Sequence, residues 1–183
     1  MAITTYAELQ TAVAVWMGRP GDTTIATYAP DFISMFEAWF RSRYRLRRML
    51  STSTLTLSTA TTSLPSDFLE VRNLSLVASP AEDMQHAGLD WMRTYYDETA
   101  TGRPKFFNVG GSTIRVAPTP DASYSATLEY YAFAALSGSN TTNWLLTYYP
   151  HVYLRGALRE AAGWEGGGMT ATDSGMRVDT WTP

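Results

Sequence analysis

The chain of 183 residues contains no cysteine. This absence excludes disulfide bonds, zinc sites built from thiolates and cysteine nucleophiles. Histidine is also scarce, and we predict structural roles for the two present, His86 and His151. The sequence has none of the patterns of serine hydrolases, zinc proteases, phosphate-binding loops or calcium loops. We therefore predict that the protein is not an enzyme and has no catalytic residues, cofactor or metal.

Charged residues make up only 17% of the chain, and the net charge is −3. A chain with this balance has no overall positive potential that would draw it to nucleic acid. No apolar run approaches the roughly 20 residues that cross a bilayer. The N-terminal stretch also lacks the basic and apolar regions of a signal peptide. We predict no membrane partner.

Aromatic residues, in contrast, are abundant at 13% of the chain. An aromatic-rich core would account for this excess, and so would surfaces that contact other proteins. The composition leaves both explanations open. The length suits one domain with a sizeable core, or one domain with an arm.

Two helices are predicted near the N-terminus. In the first helix, Thr5 and Glu8 form a capping box. Leu9, Val13 and Trp16 recur at helical spacing and share one face of it.

The second helix is predicted over residues 28–50, because Pro30 suits a first helical turn, where its missing N–H costs nothing. Its apolar stripe consists of Phe32, Ile33, Phe36, Phe40 and Tyr44, and its polar stripe of Glu37, Arg41, Arg45 and Arg48. The arginines are either solvated cations that stabilise the helix C-terminus, or a face towards DNA or an acidic partner. One such helix in a net-negative chain is too little for a dedicated DNA binder.

Alternating leucines predict strands in the middle of the chain. Leu55 and Leu57 are two residues apart, as are Leu74 and Leu76, so each pair lies on one face of a strand. We interpret residues 51–77 as two strands or one long irregular hairpin. The segment that follows is ambiguous and is compatible with a short helix.

A further hairpin is centred on Gly110 and Gly111, since a Gly-Gly pair can take the positive φ angles of a two-residue turn. We predict a core face and a mixed face, with Arg115 opposite Phe106. The core face holds Phe107, Val109, Ile114 and Val116, and the mixed face holds Phe106, Asn108, Thr113 and Arg115. A strand over residues 123–133 completes a predicted three-stranded antiparallel meander.

The chain closes with a helix and an arm. Pro150 suits the first turn of the helix, and Gly156 permits close approach by a neighbouring element. The residues beyond it have no periodicity and many small side chains, as an arm has. The predicted fold is therefore α+β, with an N-terminal helical pair, an antiparallel hairpin or meander, a C-terminal helix and an extended arm. Residues 1–163 form the domain and residues 164–183 form the arm.

Three stretches, taken in this order, resemble a known family. They are LPSDFLE at residues 64–70, TGRP with PTPD at residues 101–121, and NWLL with YLRGAL at residues 143–158. From about Thr4 to Ala162 the chain resembles the adaptor proteins of tailed bacteriophages, also called head-tail connector or head-completion proteins.

The resemblance implies a place in the neck of the virion, with assembly in the host cytoplasm. Adaptors of this kind form a ring, usually dodecameric, below the portal of the filled head. The implied partners are other copies of the chain, the portal protein, a tail or nozzle protein, and genomic DNA, which passes through the channel without sequence-specific binding.

The resemblance also implies roles for particular residues. The mixed face of the hairpin would contact another protein, and Arg41, Arg45 and Arg48 would face the channel or an acidic partner. The arm would contact the portal through Trp164, Met169, Met176, Arg177, Val178 and Trp181. Gly163 and residues 166–168 interrupt the last helix where relatives continue it. This departure favours an extended arm over a docking helix.

Two other functions stay open from the sequence. One is a β-rich binding module, for carbohydrate or another ligand, with an aromatic platform of Tyr95, Tyr96, Tyr130 and Tyr131. The other is a nucleic-acid-binding protein that uses the arginine-rich helix.

Overall fold

The computed structural model describes residues 2–78, 81–96 and 100–164, and it confirms the α+β class. The chain divides into two compact units. Met1–Tyr44 and Ala134–Pro183 form one, here called the helical unit, and Arg45–Phe133 form the other, here called the β unit. The predicted boundary between residues 163 and 164 falls at the end of the described residues and stays a prediction.

The helices and strands follow one another along the chain, with a 3₁₀ turn at Arg47–Met49. In chain order they are α1 (Tyr6–Trp16), α2 (Thr23–Arg43), β1 (Leu50–Leu57), β2 (Thr61–Ser63), β3 (Phe68–Leu76), β4 (Glu82–Asp83), β5 (Gln85–His86), α3 (Leu89–Tyr95), β6 (Thr101–Gly102), β7 (Phe106–Gly110), β8 (Thr113–Ala117), β9 (Thr119–Pro120), β10 (Tyr124–Ala132), α4 (Trp144–Tyr148) and α5 (Pro150–Ala162).

Helix α1 begins as its sequence predicts. The Thr5 side chain accepts a hydrogen bond from the Glu8 backbone N–H, and the Glu8 carboxylate accepts one from the Thr5 N–H, so the capping box is confirmed. Leu9 and Val13 are buried, but Trp16 is 64% exposed. The predicted apolar face was therefore wrong at Trp16, the last residue of the helix, where the chain turns away at Gly18.

Helix α2 begins five residues before the predicted start at Tyr28, and it ends earlier than predicted. Asp22 caps it by accepting hydrogen bonds from the N–H groups of Thr24 and Ile25, which leaves Pro30 inside the helix. An interior proline costs about 3 kcal/mol. The burial of Ile25 and Ala29, one turn and two turns into the helix, helps to offset that cost.

Helices α2 and α5 pack closely at one glycine. A Cβ atom built on Gly156 would lie 2.1 Å from the Phe36 ring, a distance that real Cβ contacts do not show. The close approach predicted for Gly156 is thus confirmed. The apolar side chains along one side of α5 are all buried: Leu154, Ala157, Leu158 and Ala161.

The β unit is built from two four-stranded sheets over one apolar core. The strand orders are β1-β10-β3-β4 and β2-β8-β7-β5, and a two-stranded pair, β6-β9, lies beside them. Both sheets contribute to a single cluster of buried side chains, as in a sandwich. Only Met84 separates β4 from β5, so the chain passes from one sheet to the other within a single residue.

The predicted alternative of two strands within residues 51–77 is confirmed, and the alternative of one long hairpin is wrong. The four leucines predicted on the strand faces are buried: Leu55, Leu57, Leu74 and Leu76. Strands β1 and β3 do not pair with each other, because β10 lies between them. The predicted three-stranded meander is wrong, because β10 pairs with β1 and β3 and not with the hairpin around Gly110 and Gly111. The apolar side chains of β10, including Ala126 and Leu128, face the core shared with the hairpin, which requires β10 to lie in the opposite sheet.

The hairpin itself, β7 and β8, is confirmed, but its turn lies one residue further along than predicted. Gly110 pairs with Thr113, and only Gly111 has a positive φ, of 60°. This combination of φ signs is that of a type II′ turn. The pairing is shifted by two residues, which preserves the faces: Phe107, Ile114 and Val116 are buried, and Val109 packs against the same core.

Candidate contact surfaces

The three arginines of the predicted basic face do not share a helix. Arg41 is half-buried in the last turn of α2, whereas Arg45 and Arg48 follow the end of that helix. Arg45 makes an ion pair with Glu70 of β3, with its Nε 2.7 Å from the carboxylate oxygen. The single helix face predicted for these residues was wrong, because the helix ends at Arg43 and the chain then leads into β1.

Arginines instead surround an aromatic ring in the helical unit. The guanidinium carbon of Arg159 lies 4.2 Å from the centroid of the Trp39 ring, and that of Arg43 lies 5.5 Å from it. Arg159 also pairs with Glu160. Cation–π contacts of this kind hold guanidinium groups in fixed orientations at a surface. Sequence reasoning missed this cluster, since Arg159 is 120 positions away from Trp39 in the chain.

Glu37 lies in the core of the helical unit and not on a polar stripe. It is 2% exposed. Its carboxylate accepts a 2.6 Å hydrogen bond from the Tyr153 hydroxyl and a 2.9 Å bond from the Leu136 backbone N–H. Asn143 donates to the same Tyr153 oxygen and caps α4 through the Leu146 N–H. One acidic side chain thus links α2, α5 and the segment that precedes α4.

Burial raises the pKa of the Glu37 carboxyl, although the hydrogen bonds from Tyr153 and Leu136 act in the opposite direction. Burial likewise raises the pKa of the Tyr153 hydroxyl, and the neighbouring carboxylate raises it further. Arg41, four residues further along α2, lowers the pKa of Glu37 through its charge. These shifts and hydrogen bonds are those of a structural polar network that holds helices in register.

The mixed face of the hairpin carries an aromatic cluster. The Phe106 ring lies 4.9 Å from that of Trp91 and 5.7 Å from that of Tyr96, both on or next to α3. The Tyr95 ring lies 4.8 Å from the Trp91 ring, tilted by 34°, and Tyr95 is 67% exposed. This surface, formed by Trp91, Tyr95, Tyr96 and Phe106, is called the aromatic patch below.

The other residues of the mixed face are half-buried or exposed. Asn108 is opposite Arg115, and its side-chain amide donates to the Ala87 carbonyl. The predicted pairing of Arg115 with Phe106 was wrong, since Phe106 lies opposite Ala117. Thr113 is exposed next to the turn and donates to the Gly110 carbonyl.

The predicted tyrosine platform does not form as one surface. Tyr130 is buried, and its hydroxyl donates a hydrogen bond to Asp67. Tyr130 therefore belongs to the core of the β unit, and Tyr95 and Tyr96 belong to the aromatic patch.

The first residue of the predicted arm contacts its own chain. The Trp164 ring lies 5.2 Å from that of Tyr28 and 5.8 Å from that of Phe32, both on α2. Trp164, the last residue that the structure describes, is therefore packed against α2. The remaining predicted arm contacts, Met169, Met176, Arg177, Val178 and Trp181, lie outside the described residues.

The sequence of the chain is similar to that of a known protein family. The family model of the SU10 adaptor protein matches residues 4–179. The chain belongs to this family. It is a family of phage head-tail adaptors, which confirms the resemblance read from the sequence. No curated protein matches the chain.

Family membership gives the adaptor a coarse function. It is a structural component of a bacteriophage virion and contacts other head and tail proteins of the phage. Within the described residues, no three His, Cys, Asp or Glu side chains are grouped as a metal site requires. None of the described helices is long and apolar enough to cross a membrane.

Both histidines of the adaptor are exposed and lie beside aromatic rings. The His86 ring is 5.5 Å from that of Phe107, and the His151 ring is 6.4 Å from that of Tyr149.

Sequence reasoning missed Trp91 as a member of the aromatic patch. The signal available was the spacing of Trp91, Tyr95 and Tyr96, which places three large rings within six consecutive residues, with Trp91 and Tyr95 on one helix face.

Proposed function

We propose that the protein forms a homomeric ring, a dodecamer, directly below the portal in the virion neck. The ring extends the DNA channel and joins head to tail. The observation that carries this proposal is the family match over residues 4–179. Genomic DNA passes through the ring without sequence-specific binding, in keeping with a net charge of −3.

The aromatic patch and the mixed face of the hairpin are the proposed contacts of the β unit with ring neighbours or with the tail. Exposed aromatic side chains are enriched at protein interfaces, and Trp91 and Tyr95 are both exposed. Thr113 and Arg115 supply polar groups on the mixed face of the hairpin. Such an arrangement of rings with a polar margin is typical of an interface centre and its rim.

The C-terminal segment is the proposed contact with the portal. Trp164 is its root on α2, so the portal contacts themselves come from Glu165–Pro183. The apolar side chains Met169, Met176, Val178 and Trp181 are the anchors that we expect to bury. A segment of this composition orders when a partner buries its few large side chains.

The arginines have separate proposed roles. Arg41 contributes to the polar core of the helical unit through its effect on Glu37. Arg45 and Arg48 contribute positive charge either to the channel wall or to a contact with an acidic partner. Replacing Arg45 and Arg48 with glutamine is expected to change assembly or the channel potential more than the folding of the protein, whereas Arg41→Gln is expected to affect the polar core around Glu37.

The ring is tested by cryo-electron microscopy of the purified protein mixed with its portal. We expect a closed ring of twelve copies on the portal face. Native mass spectrometry of the same sample gives the copy number independently. A protein that stays monomeric and does not bind the portal would contradict the proposal.

The arm is tested by a chain that ends at Trp164. We expect it to fold with an unchanged melting temperature and to lose portal binding. A matched variant, Trp16→Ala, removes an exposed tryptophan of the same unit outside the proposed contact and should bind normally. Normal assembly of the truncated chain would disprove the role of the arm.

A further inference from the structure

One edge of the β unit differs from the others. The two four-stranded sheets have four edge strands among the described residues: β1, β2, β4 and β5. Three of them are short, with two or three residues each, and β4 consists of two acidic residues. Strand β1 has eight residues, no charged residue and no proline. It pairs with β10 without any register shift.

A long regular edge is a template for another strand, since half of its backbone N–H and C=O groups point away from the sheet. Proteins usually protect such edges with charges, prolines, bulges or short length. Strand β1 has none of these devices. In the part of the chain that the structure describes, its only partner in a sheet is β10, and Thr52, Thr54 and Thr56 are exposed.

The sequence of β1 is complementary to itself in the antiparallel direction. Side chains directly opposite in such a pair lie on the same face, so exposed residues must oppose exposed residues. If two copies pair around Thr54, the three exposed threonines oppose one another: Thr54 meets Thr54, and Thr52 meets Thr56. Threonine pairs across strands are favourable.

The other face and the strand ends also fit this pairing. On the inner face, Ser51 opposes Leu57 and Ser53 opposes Leu55, so each leucine lies next to a small serine and no charge is buried. The strand itself carries no charge. Arg47 and Arg48 precede it and lie beyond the paired residues, so no two arginines oppose each other.

We propose that the free protein forms a two-fold dimer in which β1 of one copy pairs antiparallel with β1 of a second copy. The pairing joins two four-stranded sheets into one eight-stranded sheet. About seven residues from each copy take part, so the interface is small and the dimer is weak and reversible.

The dimer belongs to the protein before assembly. Neighbours in a cyclic ring are related by rotation about one axis and contact each other through two different patches, whereas a two-fold pair uses one patch twice. The ring proposed above therefore requires the β1 pair to separate. This last step rests on the proposed function, whereas the dimer itself does not.

The dimer is tested by sedimentation velocity of the full chain over a range of concentrations. Thr54→Lys places two lysines opposite each other at the two-fold axis, and we expect it to weaken dimerisation about five-fold or more. The matched control is Ser125→Lys. Ser125 is exposed and faces Thr56 from the central strand β10, one strand away from the interface. The Ser125→Lys variant should dimerise as strongly as the wild-type protein.

Charge exchange distinguishes the proposed contact from a general loss of folding. Thr54→Glu should also weaken the dimer, and mixing it with Thr54→Lys should restore dimerisation as a mixed pair. Equal weakening by Thr54→Lys and Ser125→Lys, or no rescue in the mixture, would overturn the proposal, as would a wild-type protein that is monomeric at all concentrations.

Hydrogen exchange gives a second measurement on the unmodified protein. We expect the amides of Ser51–Leu57 that point away from β10 to be protected at high concentration and to exchange faster on dilution. Protection that does not depend on concentration would contradict pairing between copies. Neither result depends on portal binding, so the ring can fail its test while the dimer passes, and the reverse.

Discussion

The core of the helical unit depends on a few individual contacts, whereas the core of the β unit depends on a repeated alternation of apolar side chains. In the helical unit, Glu37 is buried with its own set of donors, and Gly156 leaves space for one ring, that of Phe36. In the β unit, alternating side chains from both sheets build an apolar cluster. A core of singular contacts fixes one arrangement and tolerates little change, whereas an apolar pattern tolerates substitutions that keep its volume.

The largest effect is expected at the helix crossing. Gly156→Ala would place a methyl group within the Phe36 ring, so α5 or the ring must move. We expect a loss of about 3 kcal/mol, at the upper end for overpacking. Urea denaturation followed by circular dichroism measures it. Gly163→Ala is the control, because its Cβ would lie at an ordinary 3.6 Å from the Glu160 carbonyl. Equal losses of unfolding free energy in the two variants would show that the close contact between Gly156 and Phe36 has no particular effect on stability.

The next largest effect is expected at the buried carboxylate. Glu37→Leu keeps the size of the side chain but leaves the Tyr153 hydroxyl and the Leu136 N–H without their acceptor. We expect a loss of about 2 kcal/mol. The double variant with Tyr153→Phe should lose less than the sum of the two single variants. Strict additivity would show that the two groups do not act as a unit.

The buried Glu37 of the helical unit also makes the stability of the protein depend on pH. Because burial raises the pKa of Glu37, the folded state binds its proton more tightly than the unfolded state. The stabilisation from Glu37 is therefore complete below the ordinary pKa of 4.5 and decreases as pH rises through the raised value. The difference in unfolding free energy between wild type and Glu37→Leu should shrink from acidic to neutral pH. A difference that grows over this range would contradict the direction of the shift.

A smaller effect is expected for a conservative change in the β unit. Leu128 is fully buried in β10 between the two sheets. Leu128→Met nearly conserves volume, and we expect it to cost about 1 kcal/mol. Thermal denaturation of this variant next to Gly156→Ala tests the comparison directly. A cost at Leu128 equal to that at Gly156 would mean that both cores are equally specific.

The smallest effect is expected at the surface of the β unit. Arg45→Gln removes the ion pair with Glu70, whose side chain is 55% exposed. Exposed pairs contribute little, so the loss should stay at about 0.5 kcal/mol or less. The same melting experiment measures it, with Glu70→Gln as its partner control. A loss above that of Leu128→Met would give Arg45 a structural role that its geometry does not explain.

Local signals in the sequence were sufficient for several elements. The Thr5 capping box, the hairpin around Gly111, and the Pro150 start of α5 each depend on residues within a few positions of one another. The α+β class and the phage adaptor family followed from such signals and from their order. The predicted faces of the hairpin were correct although its register was not, because a shift of two residues leaves each side chain on the same face.

The remaining features depend on residues far apart in the chain. Glu37 looked like a surface residue because its donors, Leu136 and Tyr153, are 99 and 116 positions away. The pairing of β10 between β1 and β3 is equally non-local. At α2, the local signal of Pro30 was misleading, because Asp22 supplied the actual cap and the buried face continued through the proline.

The helical unit is assembled from both ends of the chain, with the β unit as a continuous stretch between them. During synthesis, Arg45–Phe133 leaves the ribosome complete and can fold before the rest has been translated. The apolar stripe of α2, in contrast, cannot be covered by α5 until α5 has been synthesised, more than 100 residues later. A nascent chain stalled before Pro150 would thus present Phe32, Phe36 and Phe40 to chaperones although its β unit has already folded.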